Sequence, residues 1–507
     1  MTDKLRRYML CGCVVLSIIS LCVMPVTASD VAFTPFTYDV WGEPVEGPSG
    51  FEPTRIVDGA SLGVGGWISP TDLAVSMDGD RLYVLDGEQG RVDYCDAAFG
   101  SAGSISTFTF QGEDSPLRSP KGIFSTKSGT VYIADRGNGR VIRCNEHGDI
   151  DMVLEKPESP LFPQEKEFIP VKVAVDENGL VYVLCEGIYL GSVMYSAEGE
   201  FLGFYGSNKV EVSLDLLLDG VIKDIVDEDA KELMSKYTPV EYSSLAIDRE
   251  GFVYTCTITS DTTNMIKKLN AGGVNILQDK VKVSFQKGFG NLHPTYVDGT
   301  LNSTRFSDVA VDAAGNIYGM DTTANRIFVY DSDANLLFGF AGRGTQNGLF
   351  LNPTAIDVMG DKLVVLDNTS KAITVFERTE FGCLVEEAMA FYNEGRYQEA
   401  LGPWQQVLKY NSNYALAYIG IGKAQLESGD VEAALKNFEI AHYAAGHNEA
   451  YREYRVDSMR QYMPLLFTAI GLLIFLIYGR SIPPVRRLFD RCAESVRRLF
   501  KRKKGGV

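Results

Sequence analysis

Few side chains in this sequence have the types and spacing that catalysis or metal binding requires. The chain contains four histidines in 507 residues, and two of them, His442 and His447, lie close together. Gly446 lies between them and is predicted to end a helix there, so the two imidazoles are poorly placed to share a zinc ion. The sequence also lacks a glycine-rich phosphate loop and a nucleophile elbow. It therefore predicts no catalytic residue, no metal ligand set and no cofactor.

Three oxygen-bearing side chains are the best candidates for a divalent cation site. Asp72, Asp308 and Asn352 each stand where a short apolar, strand-like segment begins, and carboxylate and amide oxygens suit hard cations. Lys121 and Lys172 occupy neighbouring positions in other copies of the same segment, and a cation there opposes metal binding. A non-enzymatic protein is the preferred interpretation, and a metal-dependent hydrolase stays an alternative.

A second set of side chains differs from copy to copy at the same place in these segments. Aromatic and cationic groups around one opening suit an acidic peptide or a sugar. A scattered solvated surface explains the same residues equally well. The candidates for binding a ligand or partner are Trp67, Arg118, Lys121, Lys172, Tyr242 and Arg305.

The elements that must position these residues come from an internal repeat. Each copy has an apolar segment, a turn with Gly, a second strand ending in Asp, and then Arg and a third strand, as in 69–92. Six copies follow one another at spacings of 50, 50, 72, 64 and 47 residues. Six β-rich units at this period predict a mainly β, six-bladed propeller. The recurring pairs Asp86 and Arg91, Asp135 and Arg140, and Asp321 and Arg326 are expected to be structural ion pairs within blades.

The last copy supplies only three strands before the sequence turns helical. The segment 36–42 alternates in polarity like an outer strand and precedes the first copy. We expect it to complete the last blade and to close the ring, which removes an exposed sheet edge. Fourth strands are predicted at 201–205 and 336–340, and a helical insert at 213–237 is expected to cap one face.

This pattern of Pro-x-Gly-Ile/Leu-Ala-Val, Gly-x-Ile-Tyr-Val-x-Asp and Arg-Val resembles the NHL repeats, over about residues 37–376. The resemblance implies a six-bladed propeller with four antiparallel strands in each blade. Lactonases with a similar ring hold a divalent ion in the central channel, which is the source of the hydrolase alternative above. The resemblance is to a bacterial type of protein that combines such a ring with helical repeats.

From Glu380 the period changes to 34 residues, with Gly395, Ala400 and Trp404 matched by Gly429, Ala434 and Phe438. Small residues at these spacings let two helices approach closely. The pattern resembles a pair of tetratricopeptide repeats, so we expect an all-α domain at 379–462. A third amphipathic helix at 448–463 is expected to cap this domain and to continue into the membrane.

Both ends of the chain have membrane character. Residues 1–28 read as a signal peptide, with an uncleaved anchor as the alternative. Residues 463–479 form an uncharged run of 17 residues, flanked by Tyr462 and Tyr478 and followed by arginines. This predicts one transmembrane helix with a cytoplasmic C-terminus, because basic flanks stay inside. The tail 480–507 is expected to be a basic amphipathic helix on anionic lipid.

Charge agrees with this topology. The net charge of −18 combines three bases and one acid in 1–28, ten bases and two acids in 480–507, and 35 bases against 63 acids between them. An acidic exterior repels nucleic acid, so none is expected as a partner. The predicted protein has a propeller at 29–378, the helical domain and the membrane segment. We expect an extracytoplasmic scaffold that binds proteins through a propeller face and its helical repeats, with a transporter or envelope complex as partner. Capture of an extracellular sugar or peptide is a further alternative.

Overall fold

The computed structural model describes residues 31–206 and 241–478 apart from 260, 285, 294 and 298, together with 483, 484, 486, 487 and 490–495. The predicted signal peptide at 1–28 and the helical insert at 213–237 lie outside the described residues, as does most of the tail at 480–507. By contact density the chain forms two compact units. The first is 31–395 with Gly402–Tyr414, and the second is Arg396–Leu401 with the residues from Ala415 onward.

The first unit is a six-bladed β-propeller, as the repeats predict. Three strands precede the first blade: β1 (Phe36–Tyr38), β2 (Pro44–Glu46) and β3 (Phe51–Asp58). Blade 1 contains β4 (Pro70–Val75), β5 (Arg81–Asp86), β6 (Arg91–Asp96) and β7 (Ala102–Ile105). Blade 2 follows two short strands, β8 (Thr109–Phe110) and β9 (Glu113–Asp114), and contains β10 (Gly122–Ser125), β11 (Val131–Asp135), β12 (Arg140–Cys144) and β13 (Asp149–Leu154).

The remaining blades repeat this order. Blade 3 contains β14 (Pro170–Val175), β15 (Val181–Cys185), β16 (Ser192–Tyr195) and β17 (Phe201–Tyr205). Blade 4 contains, among the described residues, β18 (Tyr242–Ile247), β19 (Val253–Thr257) and β20 (Ile266–Leu269), and is followed by α1 (Gln278–Val283), β21 (Thr295–Val297) and β22 (Thr300–Asn302). Blade 5 contains β23 (Phe306–Val311), β24 (Ile317–Asp321), β25 (Arg326–Tyr330) and β26 (Leu336–Ala341), and blade 6 contains β27 (Pro353–Met359), β28 (Lys362–Asp367) and β29 (Ala372–Arg378).

The inner strand of each blade is its first, and these six strands contact one another in a closed ring. Apolar side chains on the two faces of each sheet pack against the neighbouring blades. Leu73 belongs to the core between blades 6 and 1, and Ala74 belongs to the core between blades 1 and 2. Gly122 allows close approach at the next interface, because a Cβ there would lie 2.5 Å from the carbonyl oxygen of Val171. The core is therefore a series of interfaces arranged around one axis.

The strand that closes the ring is not the predicted one. β3 pairs antiparallel with β29 along its length, from Phe51 opposite Arg378 to Asp58 opposite Ala372, and so supplies the fourth strand of blade 6. The segment predicted for this role, 36–42, instead contributes β1, which pairs with β26 at the outer edge of blade 5. β3 was overlooked because Pro53 and several charges mask its pattern, and only Phe51 and Val57 are fully buried. Pro53 is tolerated because it lies at the irregularity between Val375 and Phe376 on this outer strand.

A helical region follows the last blade. Its helices are α2 (Glu380–Asn393), α3 (Tyr397–Tyr410), α4 (Ala415–Ser428), α5 (Val431–Ile440) and α6 (Ala444–Tyr478). α2 begins at Thr379, whose hydroxyl accepts the N–H of Gly382 at 3.1 Å, as an N-cap does. Within the first unit Arg378 pairs with both Asp312 of the propeller and Glu386 of α2.

Within the second unit α5 packs against α4 and α6. Phe438 is fully buried and lies against Gly422, where a Cβ would come within 2.6 Å of its ring. The chain breaks its helical course at His442, which has a φ of 52°, and not at Gly446, which lies inside α6. The prediction that Gly446 ends a helix is therefore wrong, because the chain turns between α5 and α6 at His442, four residues earlier.

α6 continues through the predicted membrane segment. It is the one helix among the described residues that is long and apolar enough to cross a membrane, by length and composition. Its large apolar side chains are exposed in the structure at Leu465–Phe467, Ile470, Leu472–Phe475, Ile477 and Tyr478.

Candidate functional site

Four aspartates at the rim of the propeller, Asp86, Asp135, Asp321 and Asp367, end the second strands of their blades and are almost completely buried. We call them the rim aspartates. Each accepts a backbone N–H from the link that enters its own blade: Ile68 at 2.6 Å, Arg118 at 2.8 Å, Arg305 at 2.9 Å and Leu351 at 2.6 Å, respectively. Asp86, Asp321 and Asp367 also accept backbone N–H groups from the turn that follows. Their common role is to satisfy buried backbone donors.

The predicted ion pairs of these aspartates form in only one of three blades. Arg140 and Asp135 are 2.8 Å apart. Arg91 pairs instead with Asp93 at 3.0 Å, and Arg326 lies over the ring of Phe36. The prediction is thus correct for blade 2 and wrong for blades 1 and 5, where the aspartate also accepts backbone N–H groups from the turn that follows.

Two of the predicted ligand-binding residues belong to the core. Trp67 is 4% exposed, and its indole N–H donates to Asp93 at 2.8 Å. Tyr242 is also buried, and its hydroxyl donates to the carbonyl oxygen of Gly206. The predicted opening requires both rings to lie at the surface, and the structure buries them.

Arg118, Lys121 and Arg305 are exposed on the links that enter blades 2 and 5. Their main chains are fixed: Arg118 and Arg305 donate their N–H groups to rim aspartates, and the N–H of Lys121 donates to the carbonyl oxygen of Ala134 at 2.9 Å. These three side chains are available to a partner, and their role in binding stays a prediction.

Lys172 is the predicted residue that the structure places at the centre of the molecule. It extends from β14, and its Nζ lies 2.8 Å from Oδ1 of Asp72 on β4 and 3.5 Å from Oδ1 of Asp308 on β23. Asp72 and Asp308 are each 2% exposed. One ammonium group therefore joins three inner strands that are far apart in the sequence.

The carboxylates of this cluster also join neighbouring blades. Each accepts the backbone N–H of an inner-strand residue in the next blade around the ring. The bonds are Asp72 to Ile123 at 2.9 Å, Asp308 to Ile356 at 2.9 Å, and Asp357 to Val75 at 2.7 Å. We call Asp72, Asp308 and Asp357 the axial aspartates. They link blades 5, 6, 1 and 2 in that order, and Ser244 of blade 4 adds a hydroxyl bond to Asp308.

The charge states of the cluster follow from burial and from these contacts. Burial alone would lower the pKa of Lys172, but the carboxylates of Asp308 and Asp72 outweigh it, so its pKa lies above the usual value. Burial raises the pKa of Asp72, as does Asp308, while Lys172 opposes this change. The raised pKa of Lys172 favours an ion pair between the two groups, whereas the raised pKa of Asp72 opposes it. The geometry favours the ion pair, because Asp72 accepts from both Lys172 and a backbone N–H, which a carboxylate does best.

Asp357 is the least compensated member. Burial raises its pKa to about 7, with the N–H groups of Val75 and Val358 and the charge of Lys172 opposing this rise and Asp308 adding to it. Near neutral pH Asp357 is therefore protonated in only part of the molecules, and the cluster carries more negative charge than Lys172 balances.

A cavity of about 310 Å³ runs along the axis beside this cluster, and all six inner strands line it. Its walls include Val75, Val173, Leu245, Val311 and Val358. It is also lined by the turns between first and second strands, at Asp78, Asp248 and Asp312, among others. We call this the axial cavity.

The divalent cation site of the hydrolase alternative does not fit these residues. Of its three oxygen donors, Asp72 and Asp308 are held by Lys172, whose ammonium group stands where a shared cation would bind. Asn352 is exposed on the link into blade 6, where its main chain bonds to Asp367 and Asn368. Within the part of the chain that the structure describes, no group of three or more His, Cys, Asp or Glu side chains is arranged to hold a metal ion.

Sequence reasoning overlooked Asp357 and Ser244. Asp357 had a usable signal: it interrupts the apolar run Ala355 to Val358 in β27, where most other inner strands carry an alanine. Its partners, in contrast, come from different blades and have no local signature.

Comparisons with known proteins identify solved structures that resemble this chain only distantly. No protein-family model matches the chain, and no curated protein matches it. Solved structures that resemble it include virginiamycin B lyase from Staphylococcus aureus, at 11% identity and a TM-score of 0.39, covering 65% of this chain and 100% of that one. A gluconolactonase from Xanthomonas campestris is 12% identical with a TM-score of 0.37, covering 70% of this chain and 99% of that one. The β-propeller domain of Cps50 from Myceliophteria thermophila is 9% identical with a TM-score of 0.38, over 65% and 100% of the two chains.

Proposed function

We propose that this protein is a non-enzymatic binding scaffold that is anchored to the membrane by α6 and holds its propeller on the extracytoplasmic side. The observation that carries the proposal is the change of character along α6. Ala450 is completely buried, whereas Leu465, Phe467 and Leu472 are each 63% exposed. A soluble protein would bury such a continuous apolar surface.

The dimensions of this segment support a membrane anchor. The 16 residues Met463–Tyr478 of α6 span about 24 Å at the helical rise, close to the thickness of a hydrocarbon core. Tyr462 and Tyr478 lie at its two ends, where tyrosines commonly meet the membrane interface. The arginines that follow in the sequence orient the C-terminus towards the cytoplasm.

Two kinds of surface support a role in protein binding. The propeller presents exposed loops that include Arg118, Lys121 and Arg305. The helical region has helices α3 and α5 that start 34 residues apart, at Tyr397 and Val431, which fits the tetratricopeptide-like pattern of the sequence. We propose that a membrane transporter or envelope complex is the partner.

The axial cluster supports a non-enzymatic role. In the described residues the best candidate ligands for a metal are engaged by Lys172 and by backbone N–H groups, so a lactonase-like site lacks its donor set. Lactone hydrolysis by the purified protein, sensitive to a chelator and to Asp308→Asn, would contradict this part of the proposal.

The anchor is tested by moving a charge into α6. Leu472→Arg places a cation near the middle of the apolar run, which costs about 2.5–3.5 kcal/mol of insertion free energy. We expect the full-length protein to stay in the membrane pellet after alkaline carbonate extraction and the variant to move to the supernatant. The matched control is Tyr454→Arg, in the same helix but outside the apolar run. Extraction of the unmodified protein by carbonate would contradict the anchor.

The binding role needs a separate experiment. Crosslinking of intact cells, followed by purification through a C-terminal tag, is expected to recover a stable partner at native abundance. Recovery should fall for Arg118→Glu combined with Arg305→Glu if the propeller loops bind the partner. Recovery of the protein alone would contradict the scaffold role while leaving the anchor intact.

A further inference from the structure

The axial cavity has features that the scaffold role does not use. Its volume of about 310 Å³ lies at the lower end of the range for small-molecule pockets. Aliphatic side chains from several blades form its walls, and two members of the axial cluster, Lys172 and Asp357, line its polar end. Lys172 retains 17% exposure although it lies at the centre of the ring. Water can therefore reach the polar end of the cavity.

The charge balance at this end points to the sign of a ligand. Three carboxylates, Asp72, Asp308 and Asp357, lie near a single ammonium group. Asp357 accepts one backbone N–H at each oxygen, from Val75 at 2.7 Å and from Val358 at 2.8 Å. A carboxylate has about four acceptor positions, so Asp357 keeps the capacity to accept further donors.

Two other aspartates that line the cavity have cationic partners. Asp248 pairs with Lys268 at 3.4 Å and Asp312 pairs with Arg378 at 3.0 Å. Asp78, Asp80 and Arg249 are exposed to solvent at the turns. Among the buried charges along the cavity, the unbalanced negative charge is therefore that of the axial aspartates.

We propose that the axial cavity binds a small primary ammonium compound, with its ammonium group beside Asp357 and its short alkyl chain between the aliphatic walls. An ammonium group supplies the donors that Asp357 can still accept and balances the second carboxylate charge. An anion would face the three carboxylates, and a bare divalent ion would need six or more oxygen ligands, which these walls do not provide. The assignment adds a ligand to the protein and does not depend on the scaffold role.

The pH dependence of binding has a defined sign. The pKa of Asp357 lies at about 7, and the charged groups around it are Lys172 on β14, Asp308 on β23 and Asp72 on β4. Asp357 is charged above that pH, so we expect the ammonium ligand to bind more tightly at pH 8 than at pH 6.

The test is a calorimetric titration of the full-length protein in detergent, with n-butylammonium chloride as the probe. We expect saturable binding at pH 8 that is at least tenfold weaker in Asp357→Asn, which keeps the shape of the side chain. The matched control, Asp333→Asn, removes a carboxylate that pairs with Lys280 at 2.6 Å outside the cavity, and should bind like the unmodified protein. Sodium butyrate and n-butanol test the charge requirement and should not bind.

A second variant keeps the proposal testable if Asp357→Asn unfolds. Ala246→Leu leaves every charge in place and fills part of the cavity that Ala246 lines. We expect it to weaken binding of n-butylammonium by a similar factor. Binding by both cavity variants that matches binding by the unmodified protein, binding of butyrate, or absence of saturable butylammonium binding would each overturn the proposal.

Discussion

The rim and axial aspartates both accept backbone N–H groups, yet they differ in how often they occur. The rim aspartates recur at the same position in four blades and satisfy the link of their own blade. The axial aspartates join one blade to the next, and their cluster includes the single Lys172. The comparison teaches that the rim aspartates maintain each blade, whereas the axial cluster with its single Lys172 defines what is specific to this ring.

The largest expected effect comes from removing the cation of the axis. Lys172→Met leaves Asp72 and Asp308 without their shared partner, so we expect a loss of about 3–5 kcal/mol in the free energy of unfolding at pH 8. Chemical denaturation followed by tryptophan fluorescence measures it. The triple variant Lys172→Met, Asp72→Asn, Asp308→Asn removes the uncompensated charges and should recover most of the loss. If Lys172→Met is neutral, the axial cluster has no special role.

A rim aspartate should matter somewhat less. Asp135→Ala removes the acceptor for the N–H of Arg118 and leaves the largely buried guanidinium of Arg140 without its carboxylate. We expect a loss of about 2–3 kcal/mol, measured in the same denaturation experiment. Asp135→Asn keeps an acceptor oxygen and should lose less. A larger effect here than at Lys172 would reverse the order of the comparison.

Asp357 should make the free energy of unfolding depend on pH. Its pKa in the folded protein, about 7, lies above the usual value of 3.8, so the folded state binds more protons than the unfolded state between about pH 4 and 7. Stability from this group is full below pH 4 and is lost as the pH rises towards 7. Relative to Asp357→Asn, the unmodified protein should lose about 2–3 kcal/mol between pH 5 and 8. Parallel pH profiles of the two proteins would contradict the raised pKa.

The smallest effect is expected for an exposed ion pair. Arg81 and Glu146 are 3.1 Å apart with about half of each side chain exposed. Arg81→Ala should change the free energy of unfolding by less than about 1 kcal/mol, and less still in high salt. This variant sets the baseline against which the axis and the rim are compared.

The six-bladed fold could be predicted because each copy carries a local pattern of alternating strands and turns. The fourth strands at 201–205 and 336–340 were found in the same way and are confirmed as β17 and β26. β3 escaped because an outer strand needs few buried side chains, and its pairing with β29 leaves no local trace.

The axial cluster was predicted only in part, for a related reason. Asp72 and Asp308 were recognised as candidate cation ligands, and Lys172 as a residue that differs between copies. Lys172 and Asp72 are 100 residues apart, however, and their contact exists only once the ring brings blades 1, 3 and 5 to a common axis. The role of Trp67 was mistaken because sequence position does not reveal that Asp93 holds its indole N–H in the core.

The closure of blade 6 by β3 has a consequence for biosynthesis. Thr54 and Val375 contact each other across 321 residues of chain, so a strand made early must wait for almost the whole propeller before it finds its partner. Until then β3 and the last blade to form both have unpaired strand edges, and such edges can pair with other chains. The ring can therefore complete only after its final strand has been made, and a polypeptide that stalls before Arg378 leaves an open sheet edge for quality-control proteases to recognise.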